Sequence, residues 1–145
     1  MINEQEIRQF FIAYESRFNA SLTGTVDIEG TIQSFADCFV EASPMGIQCG
    51  KNDARFQEAI PKGYEFYRSI GTTAMKITAM DITLLDDFHA MTKVHWQAFY
   101  DKKDGAKETI EFTVIYFVQV VNAPIKIFAY ITGDEQKVLK ERGLI

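Results

Sequence analysis

Apolar residues recur at three- and four-residue intervals near the start of the chain. Ile7, Phe10, Phe11, Tyr14 and Phe18 therefore lie on one stripe of a helix over residues 4–20. Asn3, with Glu6 three positions on, predicts its N-cap. Asp27 is placed to cap a second, short helix whose apolar side is Ile28, Ile32 and Phe35. Asn52 or Asp53 does the same for a third, which carries Phe56, Ile60, Tyr64, Tyr67 and Ile70. Pro61 removes a backbone donor inside that third helix and predicts a kink or break. Gly71 is expected to end it in the left-handed conformation.

The period then falls from about 3.6 to about 2. Phe39, Glu41 and Ser43 alternate with Cys38, Val40 and Ala42 in a short strand over 38–43, which Pro44 and Gly46 end; residues 46–50 return as a second strand. Four longer strands follow, over 74–86, 88–100, 107–121 and 124–133. The turns between them are Asp86-Asp87, residues 101–106, and Asn122 to Pro124. Turns this short require antiparallel neighbours. Helices first and an antiparallel meander after is the α+β pattern, with helices covering one face of a sheet.

In the 107–121 strand both alternating sets contain apolar groups: Ile110, Phe112, Val114, Tyr116 and Val118 on one side, Thr113, Ile115 and Phe117 on the other. A sheet covered on one face only would show a polar set, so the second face is expected to meet a partner subunit. The interior is expected to hold Phe10, Tyr14, Phe35, Trp96, Ile115 and Phe117. Phe112, Val114, Tyr116 and His95 then turn outward into a homodimer interface.

Composition narrows the function classes. The 145 residues fit a single domain over 1–145, and no repeat or linker divides them. A net charge of -5 lacks the clustered Lys and Arg that nucleic-acid binding needs. The acidic start has no secretory signal and no later segment is apolar for long enough to span a bilayer, so a cytoplasmic protein is expected. Cys38 and Cys49 suit neither a disulfide framework nor a zinc site. Neither metal-ligand spacing nor a phosphate-cradling Gly-rich loop occurs, so no cofactor is indicated.

Tyr14 to Asn19, then Phe35-Ala36-Asp37 leading to Ser43-Pro44-Met45-Gly46, then Ile131-Thr132-Gly133-Asp134 at the close, occur in an order and spacing that resemble the nuclear transport factor 2-like superfamily. That superfamily includes ketosteroid isomerases and SnoaL-like cyclases. The resemblance implies a cystatin-like cone, in which three N-terminal helices cap a bent antiparallel sheet around a ligand pocket, and a dimer through the outer sheet face. It puts the isomerase's oxyanion-binding tyrosine on Tyr14. It also puts Ser43 and Ile115 where that enzyme has its two aspartates, and neither can replace an ionisable group, which argues against a steroid isomerase.

Glu41 shares a strand face with Ser43, which the resemblance turns toward the pocket, and is the best remaining base. Trp96 and Tyr130 are expected in the pocket wall with Ser43, Thr113, Ile115 and Phe117. Two functions follow. One is cofactor-independent proton transfer, cyclisation or dehydration of a small apolar oxygenated molecule by Glu41 with Tyr14; the other is a non-catalytic ligand-binding or oligomerising module.

Overall fold

The computed structural model of the chain describes residues 1–122 and 124–145. The elements are α1 (Glu4–Thr23), α2 (Ile28–Ser34), β1 (Phe35–Ser43), β2 (Gly46–Lys51), α3 (Ala54–Ser69), β3 (Thr72–Leu84), β4 (His89–Asp101), β5 (Lys107–Gln119), β6 (Lys126–Ile131) and α4 (Glu135–Glu141). The fold is α+β, as the change of period requires. The Asn122 to Pro124 turn contains Ala123, which lies outside the described residues.

Local chemistry sets the helix boundaries. Asn3 Oδ1 accepts from the Glu6 backbone N–H at 2.9 Å, and the Asp27 and Asp53 side chains cap α2 and α3 in the same way. α3 runs unbroken through Pro61, so of the expected kink or break the break does not occur. Gly71 follows it at φ +87°, where an added Cβ would lie 2.0 Å from the Asp101 carbonyl oxygen, so only glycine fits this turn. Phe35 begins β1 instead of closing α2's apolar side.

The six strands form one sheet in the order β2-β1-β6-β5-β4-β3. Every pairing is antiparallel except β1 with β6, which is parallel and makes the sheet mixed. Short turns report only on sequential neighbours, and β1 and β6 are far apart in sequence. Register shifts within the β1–β6, β3–β4 and β5–β6 pairs supply local bending.

Which face is inside differs from the expectation. Trp96 stands opposite Phe112 in the β4–β5 register, and directly opposed residues share a face. Trp96 is 2% exposed, so its face is the interior, and the even-numbered residues Ile110, Phe112, Val114, Tyr116 and Val118 go with it. Thr113, Ile115 and Phe117 pair with His95, Lys93 and Met91 on the outer face. The expected inward placement of Thr113, Ile115 and Phe117, and the outward one of Phe112, Val114 and Tyr116, are therefore reversed. Phe10 and Tyr14 pack against the core that Phe35 and Trp96 help to form.

α1 is fixed to the edge strand β3 by side chains one turn apart. Asn19 donates to the Met75 carbonyl and accepts from the Met75 N–H, each at 2.8 Å, while Glu15 accepts from the Ile77 N–H at 2.5 Å. Residues i and i+4 on a helix thereby meet i and i+2 on a strand, and part of a sheet edge is covered. Arg68 on α3 donates to the Ser21 and Leu22 carbonyls at 2.9 and 3.0 Å, which satisfies the last turn of α1. These clamps hold the helices over the inner face. No helix among the described residues is long and apolar enough to cross a membrane.

Candidate functional site

Between the helices and the inner face lies a cavity of about 310 Å³, at the small end of the range for ligand pockets, roughly 300–1,000 Å³. Tyr14 and Phe18 enter it from α1, Tyr67 from α3, Trp96 and Tyr100 from β4, and Tyr116 from β5. β1 supplies Glu41, β6 supplies Tyr130, and residues 132–135 with α4 close one side. The aromatic rings form a continuous wall: centroids are 6.3 Å apart for Tyr14–Trp96, 6.1 Å for Tyr14–Tyr116 and 6.3 Å for Tyr116–Tyr130. Aromatic side chains that end in hydroxyls give such a wall an apolar surface with polar points.

Burial dominates the electrostatics. It pushes the Tyr14 phenol up to about 12, with a smaller contribution from Tyr64, and the Tyr100 phenol up to about 12, with Glu135 adding to it. Tyr116 is raised well above its ordinary value by burial and by Tyr14; Tyr130 is raised by burial and by the charge of Glu41. All four phenols therefore stay protonated at neutral pH and are hydrogen-bond donors. Glu135 is solvent-exposed overall and sits in the wall beside Tyr67, whose hydroxyl donates to it at 3.4 Å. Partial removal of its carboxyl from water holds it above the ordinary carboxylate value.

The sequence candidates divide into three groups. Tyr14, Glu41, Trp96 and Tyr130 all line the cavity, and Glu41 and Tyr130 are register partners across the parallel β1–β6 pair. Ser43 is the last residue of β1, and its Oγ accepts from the Met45 N–H at 3.1 Å. It shares the parity of Glu41 but serves the hairpin turn and does not line the cavity. Thr113, Ile115 and Phe117 are excluded from the wall by the face reversal. His95 is on the outer face, with Nε2 2.8 Å from Asp81 Oδ2.

Sequence reasoning missed Tyr67, Thr72, Tyr100, Tyr116 and Glu135. Tyr116 follows from the pairing of Trp96 with Phe112. Glu135 had a local signal: Asp134 precedes Val138 and Leu139 at helix-start spacing, and it caps α4 through a bond from the Lys137 N–H at 3.1 Å. Thr72 is 7% exposed, lines the cavity, and its Oγ1 has no hydrogen-bond partner among the described residues. No group of three His, Cys, Asp or Glu side chains that could hold a metal ion occurs among the described residues.

Solved structures with the same architecture come from several bacteria. An NTF-2 like protein of unknown function from Shewanella oneidensis aligns with a TM-score of 0.67 at 19% identity, over 90% of this chain and 98% of that one. An NTF2-like protein with a cystatin-like fold from Novosphingobium aromaticivorans aligns with a TM-score of 0.69 at 15% identity, over 97% and 87%. Aln2 from a Streptomyces species gives 0.67 at 17%, over 98% and 99%. Identities this low speak for the fold alone. No curated protein matches the chain in sequence. The family described as NTF2-like protein (DUF6841) matches residues 4–135, and the chain belongs to that family.

Proposed function

We propose that the cavity binds a small, largely apolar, oxygenated molecule and that Glu41 moves a proton on it. The observation that carries this reading is the placement of the Glu41 carboxylate beside Tyr130 in a cavity whose other polar points include the Tyr14 hydroxyl. In such a reaction Glu41 accepts a proton from a carbon or hydroxyl of the ligand. Tyr14 or Tyr130 donates a hydrogen bond to the oxygen that gains negative charge, which lowers the barrier where the charge develops. This chemistry suits the isomerisations, cyclisations and dehydrations of SnoaL-like and ketosteroid-isomerase-like enzymes, and it needs no cofactor.

Hydrogen–deuterium exchange of an enolisable aromatic ketone such as acetophenone tests the proposal. The protein is expected to accelerate exchange alpha to the carbonyl, and Glu41→Gln to remove the acceleration while leaving the fold intact. Equal exchange with both proteins would rule out Glu41 as the base. Binding without exchange would leave a ligand-binding module.

We further propose that a second copy of the chain covers the outer face. Val40 and Ile131 are 37% and 43% exposed, and with Ile115 and Phe117 they join β1, β6 and β5 in one apolar area. Covering it gains about 25 cal/mol per Å² of apolar surface. Light scattering is expected to give a dimer mass, and Phe117→Glu a monomer; a wild-type monomer at high micromolar concentration would refute this.

A further inference from the structure

We infer that the ligand of this cavity is a cation: a compact apolar molecule bearing a protonated amine. The inference rests on the binding reading above and adds the sign of the ligand's charge. The charged side chains in the wall are Glu41, Asp134 and Glu135, all acidic; no Lys, Arg or His lines the cavity among the described residues. None of the three carboxylates takes part in an ion pair among the described residues. Arg17 does not enter the wall: its Nη2 donates to Ser34 Oγ at 2.6 Å, and its guanidinium lies over the Tyr14 ring, 5.5 Å from the centroid.

Two independent observations point the same way. The wall is aromatic on several sides, and the negative faces of Tyr and Trp rings attract a desolvated cation. The Thr72 hydroxyl, buried in that wall without a partner among the described residues, can accept from an N–H donor as well as donate its own proton. Around a neutral ligand, partly desolvated carboxylates would lose water for a neutral hydrogen bond at most, whereas an ammonium offers them a charge-assisted bond and a counter-charge. The charge of Glu41 is among the influences that hold the Glu135 carboxyl above its ordinary value, after burial.

Calorimetry at pH 7 with three probes of similar shape tests the sign: 2-phenylethylamine (cation), 2-phenylethanol (neutral) and 3-phenylpropionate (anion). The amine is expected to bind about tenfold or more tighter than the alcohol, with the anion weakest. Glu135→Gln and Glu41→Gln are each expected to narrow the gap between amine and alcohol. If the alcohol or the anion binds as well as the amine, the charge inference is overturned and the pocket reading stands. If none of the three binds, both fall. The wild-type comparison decides the matter even if a variant fails to fold.

Discussion

The two faces of β5 have similar hydrophobicity and different fates. Inward, Ile110, Val114, Tyr116 and Val118 are buried, and the first three line the cavity; outward, Ile115 and Phe117 are only half-buried and Thr113 is exposed. Composition does not distinguish the two sets, because each contains aliphatic and aromatic groups. The neighbouring strand does: β4 alternates buried Ala90, Thr92, Val94, Trp96 and Ala98 with Lys93, His95 and Gln97, and the register transfers that choice to β5. A strand with two apolar faces is read correctly only through a partner with one.

The comparison is broken most strongly at its centre. Trp96→Ala is expected to cost about 3–5 kcal/mol, because a large side chain leaves a packed interior, while Phe117→Ala on the outer face costs about 1 kcal/mol in the monomer. Urea denaturation of both variants measures the contrast; equal losses would erase the distinction between the faces.

High pH acts on the buried phenols of the inner face. Tyr14 is raised from 10.0 to about 12, so its protonated form is favoured in the folded state. Its contribution is fully present below pH 10 and is lost as the pH rises from 10 through about 12. From the size of the shift that contribution is about 2–3 kcal/mol. Tyr14→Phe is expected to lose less stability than the wild type between pH 9 and pH 11.5, read by denaturant midpoints.

Asn19→Ala removes two bonds to the Met75 backbone and is expected to cost about 1–2 kcal/mol. It also loosens α1 over the cavity, so hydrogen exchange at Met75 and Ile77 should accelerate. Glu135→Gln gives the smallest effect. Because the folded state holds Glu135 above 4.5, ionisation there opposes folding, and the associated stability is present below that pH and lost above it. The variant should melt about 1 °C higher than the wild type at pH 7 and equally at pH 4.

Much of the architecture was legible because it is written in local periods. The α1 stripe, the Asn3, Asp27 and Asp53 caps, Gly71 and the β3–β4–β5 meander all follow from spacing within a few residues. The parallel β1–β6 pair was not legible, since nothing near Phe35 or Lys126 encodes a partner some ninety positions away. Tyr14, Glu41, Trp96 and Tyr130 were picked out by parity and resemblance. Ser43 has the right parity but lies past the end of the cavity, and parity carries no information about depth. Tyr67 and Glu135 meet only in the folded chain, 68 residues apart in sequence.

The central claim is that the inner face, and not the outer one, is where a small molecule binds. The chain has one tryptophan, Trp96, buried in the cavity wall, so its emission reports on that wall without labelling. Titration with 2-phenylethylamine is expected to change Trp96 emission saturably, with a midpoint equal to the calorimetric Kd, and Glu41→Gln to weaken that response. Calorimetric binding that leaves Trp96 emission unchanged would place the ligand elsewhere and contradict the account.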